Sequence, residues 1–339
     1  MARVGAASLF LLAAACSAPA APATDDGAGG SGGHGAASFD ARSPGAGVER
    51  RDLGAGGAVD QAPAAPEPDA AGDDAGAEPP DAAMDAAVVV LPDAGSPAGA
   101  MSAGCGMPGG LPEGPATLAV GGATRSYTLR LPAGYTGDRA WPLVLALHPN
   151  GGSGVGYWDG TGGARPLRAL LKDKAVLVLP VARPAGGGFD WRGDLPADIA
   201  YFAALLDRLE GKLCVDTGHV FAMGFSGGAS FAGVLGCVRS DIRAIATAGA
   251  VTYFDAKTCV GTPAAWVAIG QGELIPAREQ FRDFWRMRAG CQATSSAVAP
   301  AACVAYACPP ATPVHYCAHP GGHEWPSFGT QAAVSFFGL

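Results

Sequence analysis

The stretch Val220-Phe221-Ala222-Met223-Gly224-Phe225-Ser226-Gly227-Gly228 decides how this chain is read. Residues 220–223 are continuously apolar, as a strand covered on both faces is. The Gly-x-Ser-x-Gly that follows suits a sharp strand-to-helix turn, in which flanking glycines relieve close contacts and the serine hydroxyl is lifted clear of the sheet. Residues 227–237 then read as a helix. Spacing alone is not specific, because Gly29-Gly30-Ser31-Gly32-Gly33 repeats it with no strand before and no helix after. Context therefore singles out Ser226 as the candidate nucleophile. A helix that begins beside it also aims the Gly227 N–H at a point where a negative oxygen would form, half of an oxyanion hole.

Working outward, short aliphatic runs alternate with helical patterns from residue 105 to the C-terminus, the signature of strands joined by crossover helices around a mainly parallel sheet. Strands are predicted at 126–131, 143–147, 175–179, 242–248, 265–269 and 314–317. Helices are predicted at 196–209, 277–288 and 331–337, with Pro196 in a first turn that tolerates its missing N–H. The class is α/β, with helices on both faces of the sheet. No internal repeat is visible, and the length beyond 105 leaves little room for a large lid over the site.

Upstream the composition changes. Residues 17–104 are Ala, Gly, Pro, Asp and Ser with almost no aromatic side chains, too little apolar surface to offset the entropy of ordering, so they read as a disordered tether. Of the chain's charges, 14 acidic and 4 basic residues fall at or before 104, against 16 and 18 after it. The net charge of −8 thus belongs to the tether. The near-neutral remainder offers no basic field for nucleic acid.

Residues 1–16 carry Arg3, an apolar run and then Ala13-Ala14-Ala15-Cys16, the pattern of an export signal. The small residues before Cys16 resemble a lipoprotein processing site, which would make Cys16 a lipid anchor to the cell envelope and the only membrane contact. The other eight cysteines, Cys105, Cys214, Cys237, Cys259, Cys291, Cys303, Cys308 and Cys317, form an even set suited to as many as four disulfides outside the cytoplasm. Cys303 with Cys308 is the favoured local pair. No two of these cysteines have the two-residue spacing of a zinc ribbon, so no metal site is expected.

Leu147-His148-Pro149-Asn150-Gly151-Gly152 follows an early strand, where a second oxyanion donor would sit. Proline has no N–H, so the donor is the amide of Asn150 or Gly151. For a general base, His315, His319 and His323 follow in chain order. Gly321-Gly322-His323-Glu324-Trp325-Pro326 favours His323, since two glycines let the loop turn and Trp325-Pro326 would stiffen it. The acid should follow a late strand, and Glu273 in its glycine-flanked loop is preferred over Asp255 and Asp283. Trp158, Trp191 and Trp325 are candidate aromatic shelves for a substrate.

These residues, with Gly-Gly-Ala-Thr-Arg-Ser-Tyr at 121–127 and Leu213-Cys214-Val215-Asp216, resemble a family of secreted esterases that includes polyhydroxybutyrate depolymerases, feruloyl esterases and acetylxylan esterases. The resemblance spans 105–339, and Gly-Gly-His-Glu-Trp-Pro at 321–326 is its most specific motif. It implies an α/β-hydrolase fold and a serine carboxylic ester hydrolase that works through Ser226, His323 and an acid, with no metal or organic cofactor. Members usually carry aspartate where Glu273 stands and glycine where Pro149-Asn150 stands. The implied substrates are feruloyl or acetyl esters of polysaccharides or polyhydroxyalkanoate-type polyesters, met by a monomer at an uncovered site. A catalytically decayed scaffold that binds surface glycans is the alternative, and a peptidase on the same fold is a more remote one.

Overall fold

The apolar runs assemble into one sheet because each needs cover on two faces. In the computed structural model, which describes residues 100–152 and 154–339, the strands β1 (Gly114–Val120), β2 (Ala123–Arg130), β3 (Trp141–Leu147) and β4 (Val176–Pro180) form its first part. A small hairpin, β5 (Arg183–Ala185) and β6 (Gly188–Asp190), stands apart from it. The sheet continues through β7 (Val215–Phe225), β8 (Ile242–Ala248), β9 (Ala264–Gly270), β10 (Ser295–Val298), β11 (Cys303–Tyr306) and β12 (Val314–His319). The export signal at 1–16, Cys16 and nearly all of the 17–104 tether lie outside the described residues.

The spatial order is β1-β2-β4-β3-β7-β8-β9-β12-β11-β10. The six strands from β4 to β12 are mutually parallel, and antiparallel strands extend the sheet at both edges. Sequence reading finds the parallel centre and misses most of the rim. The β1–β2 hairpin turns at Gly121-Gly122, whose φ values of 57° and 77° suit the two-residue turn that matches strand twist. β10 is largely exposed and β11 half-buried, so neither carries the continuous apolar run of a central strand.

Alternation along β3 divides the core. Leu143, Leu145 and Leu147 face one layer, shared with α2 (Leu195–Glu210), α3 (Gly227–Val238) and α4 (Pro276–Arg288). Val144 and Ala146 face the other, shared with α1 (Leu167–Leu171) and α5 (Gly329–Phe336). Helices thus cover both faces, as expected. α2 starts where Asp194 accepts from the Ala197 N–H at 3.1 Å, and Pro196 sits in the first turn. Contacts reach upstream of Cys105: the Ser102 hydroxyl donates to the Leu213 carbonyl at 2.6 Å and accepts from the Val215 N–H at 2.9 Å.

All eight cysteines of the domain are paired, as Cys105–Cys214, Cys237–Cys259, Cys291–Cys308 and Cys303–Cys317. The expected Cys303–Cys308 bridge does not form. Cys303 opens β11 directly opposite Cys317 on β12, whereas five residues of mostly extended chain carry Cys308 well beyond the reach of a disulfide, to Cys291 at the end of α4. Four disulfides place the domain's maturation in an oxidising compartment.

One consequence concerns acid. His315 on β12 is buried beside Phe336, with ring centroids 4.8 Å apart, and burial pushes its pKa down from 6.5 to about 4. Between those values the unfolded chain binds a proton that the folded chain refuses, so stability falls as pH drops from 6.5 towards 4. The full shift corresponds to roughly 3 kcal/mol. Thermal unfolding at pH 7 and pH 4 should show that His315→Leu loses less stability over this range than the wild type. An identical loss in both proteins contradicts this account of His315.

Candidate active site

Ser226 sits at the turn between β7 and α3 with φ 55° and ψ −120°, and it is the only non-glycine residue at positive φ among those described. Such a conformation is costly for a residue with a Cβ and persists only where its surroundings impose it. Here they do. The Ser226 N–H donates to the Ala248 carbonyl at the end of β8 (2.9 Å), and its own carbonyl accepts from Ser230 in α3 (3.0 Å). Gly224 and Gly228 are packed so closely that a Cβ at Gly224 would strike the Gly228 backbone, and one at Gly228 the carbonyls of Leu147 and His148. The motif's glycines are there for contact, and the serine takes the strain.

His323 comes from the loop after β12. Its Nε2 lies 2.8 Å from the Ser226 hydroxyl, and its Nδ1 meets a carboxylate oxygen of Glu273. Glu273 follows β9 on a 3-10 turn, Gln271–Glu273, and its other oxygen accepts from the Gly270 N–H at 3.3 Å. The acid turn and the histidine loop are tied directly, by the Gly272 N–H donating to the Gly321 carbonyl at 3.0 Å. Ser226, His323 and Glu273 are therefore joined in one hydrogen-bonded chain, and the imidazole is 42% exposed, so the site opens to solvent.

The competing residues lie elsewhere. Asp255 caps a 3-10 turn by accepting from the Lys257 N–H, and Asp283 pairs with Arg282 and Arg286 on α4. His319 ends β12 and is buried, and burial lowers its pKa; its Nε2 has no hydrogen-bond partner among the described residues. His315 is deep in the core.

On the opposite side of Ser226, the loop after β3 is held rigidly. The Gly151 N–H donates to the Phe189 carbonyl at 2.8 Å, and the Phe189 N–H returns a bond at 2.9 Å. That engages one of the two candidate amides, Gly151, while the Asn150 side chain packs beside Gly227. The Asn150 side chain joins the brace, its Nδ2 donating to Asp190 at 2.7 Å and its Oδ1 accepting from the Trp191 N–H at 3.1 Å. His148 Nε2 accepts from the Ala182 N–H at 3.1 Å, which puts its proton on Nδ1, 2.8 Å from the Pro149 carbonyl. Burial lowers the pKa of His148 and keeps it in this neutral form.

The tryptophans read as substrate shelves are not shelves. Trp158 and Trp191 are fully buried and Trp325 nearly so. Each uses its indole N–H internally: Trp158 donates to the Leu147 carbonyl (2.8 Å), Trp191 to the His148 carbonyl (2.7 Å) and Trp325 to Thr330 (3.0 Å). Their large apolar bodies are worth more in the core, and the N–H groups orient the loops around Ser226. Trp325 packs edge-on against Trp158 at 4.8 Å and anchors the loop that carries His323. The aromatic rings beside the reacting groups are Phe225, 4.8 Å from His323, and half-buried Tyr157 stacked on Phe225 at 5.8 Å. Sequence reading passed over both, since one lies inside the serine motif and the other in an irregular loop.

No protein-family model matches the chain. Among characterised proteins it is 31% identical over 219 residues to feruloyl esterase D of Neurospora crassa, an alignment covering 60% of this chain and 73% of that protein. The chain belongs to the feruloyl esterase family. A probable feruloyl esterase C of Aspergillus niger is 27% identical over 258 residues, 70% of this chain and 88% of the relative. The acetyl xylan esterase of Aspergillus awamori superposes with a TM-score of 0.51 at 15% identity, over 63% of this chain and 94% of that one, a likeness of fold. This esterase is thus a carboxylic ester hydrolase on an α/β-hydrolase fold, consistent with its ten-stranded sheet flanked by helices.

Gly249, just past β8, was not read as part of the site. It has φ +66°, and a Cβ there would lie 2.7 Å from His323 Cε1 and 2.8 Å from Nδ1. Gly249→Ala in the esterase should displace the imidazole and lower kcat/KM for an ester at least tenfold, while the circular dichroism spectrum stays that of the folded protein. Unchanged turnover contradicts the placement of His323.

Proposed function

We propose that this esterase is a serine hydrolase that cleaves feruloyl-type aromatic acyl esters carried by polysaccharides, with Ser226 as nucleophile, His323 as general base and Glu273 as its orienting acid. The observation that carries the reading is the unbroken chain from the Ser226 hydroxyl to His323 Nε2 at 2.8 Å, and from His323 Nδ1 to Glu273. Ser226 Oγ attacks the ester carbonyl as its proton passes to Nε2, and Glu273 stabilises the imidazolium through Nδ1–H. The tetrahedral oxygen is received by the Gly227 N–H at the start of α3 and by the Asn150 N–H. Collapse expels the alcohol, which takes the proton from Nε2. Water then enters by the same base and releases the acid.

Two observations support the substrate class. Relatives that are 31% and 32% identical over aligned stretches of 219 and 151 residues are named feruloyl esterases. The exposed imidazole, with Phe225 beside it and Tyr157 stacked on Phe225, leaves the reacting serine approachable by an acyl group attached to a bulky chain. The domain's four disulfides fit an enzyme that meets such polymers outside the cytoplasm.

Turnover of methyl ferulate, p-nitrophenyl acetate and a peptide anilide tests this. The wild type should hydrolyse the two esters with preference for the ferulate and leave the anilide intact, and Ser226→Ala should lower ester kcat at least about 1,000-fold. Ester turnover by Ser226→Ala at the wild-type rate contradicts the assignment, and a wild type inactive on all three that nonetheless binds a glycan favours a decayed scaffold.

A further inference from the structure

Arg278 reaches into the site from the first turn of α4, and neither the serine motif nor the histidine motif accounts for it. Its Nη2 lies 3.0 Å from Glu273 Oε2, the same oxygen that meets His323, and 3.1 Å from His323 Nδ1. Its Nη1 is 3.5 Å from the Glu273 backbone carbonyl. The guanidinium is largely buried, so these contacts are shielded from solvent. Arg278 is itself fixed, because Pro276 opens α4 and the Arg278 N–H donates to the Ile275 carbonyl at 3.0 Å.

The chemistry of the three groups decides what this triangle means. Nη2 can only donate. Were it to donate to Nδ1, the imidazole would carry its proton on Nε2 and could not accept one from Ser226. With Oε2 ionised between them, both N–H groups converge on one oxygen, Nδ1 keeps its proton and Nε2 keeps its lone pair. Glutamate adds a rotatable bond to the acid, and among the described residues the only other donor on its carboxylate is Gly270 at 3.3 Å. A second, charged donor on Oε2 restricts that freedom.

Resting on the triad reading above, we propose that Arg278 is a positioning residue that clamps the Glu273 carboxylate onto His323, and that Glu273 in turn keeps the guanidinium from capturing Nδ1. The pair acts as one unit, so its two members are not independent under substitution.

Steady-state kinetics on methyl ferulate in the full chain tests this. Arg278→Met should lower kcat about tenfold or more with KM within twofold, guanidinium ion at tens of millimolar should restore part of the loss, and Arg278→Lys should retain more activity than Arg278→Met. Glu273→Ala should fall at least threefold below the Glu273→Ala/Arg278→Met double variant, because only the single variant leaves Arg278 free to donate to Nδ1. Wild-type or raised kcat in Arg278→Met, a loss that guanidinium does not reverse, or a double variant no better than Glu273→Ala overturns the proposal. Ester turnover that survives Ser226→Ala instead overturns the triad reading on which it rests.

Discussion

The architecture depends on one strained residue. Ser226 occupies a backbone conformation that side chains rarely adopt, and it can do so only because β7, β8 and α3 fix it from three directions. The parallel centre of the sheet supplies that constraint: β7 lies between β3 and β8, and the carboxyl ends of these strands deliver, side by side, the oxyanion loop, the serine turn and Gly249. β9 and β12 end at the same edge, so Glu273 and His323 arrive from neighbouring strands. The strain is stored where a reacting hydroxyl must be presented, and the buried strands behind it bear the cost.

Two rigid braces flank this point and use different materials. On the side of the loop after β3, the β5–β6 hairpin pairs with Gly151 and binds the Asn150 side chain, so a loop containing proline and asparagine is held in place. On the base side, Trp325 is wedged against Trp158 and Trp266, and the Gly321 carbonyl accepts from the acid turn. Both braces convert buried aromatic surface into loop geometry. This is why Trp158, Trp191 and Trp325 are buried and do not reach the surface.

The parts legible in the sequence were those with a local cause. An apolar run followed by Gly-x-Ser-x-Gly announces strand, turn and helix, and Gly-Gly-His announces a loop that can bend an imidazole back; Ser226, His323 and Glu273 do converge in space. What could not be read depends on pairing between distant segments. Cys308 reaches Cys291 because β11 is extended, and the engagement of the Gly151 amide turns on a bond to Phe189 some forty residues later. Arg278 bears no motif, only a position one helical turn into α4 that happens to face Glu273. Trp158, Trp191 and Trp325 are not legible as core residues, because an aromatic residue looks the same in sequence whether it lines a groove or fills a core.

If His323 and Glu273 make Ser226 nucleophilic, covalent capture of its hydroxyl reads that out. Peptide mass spectrometry after brief exposure to an alkyl fluorophosphonate should find a single modified residue, Ser226, at a rate that drops sharply when His323 is replaced by alanine. Modification of a different serine, or none at all in a protein that hydrolyses esters, contradicts the account.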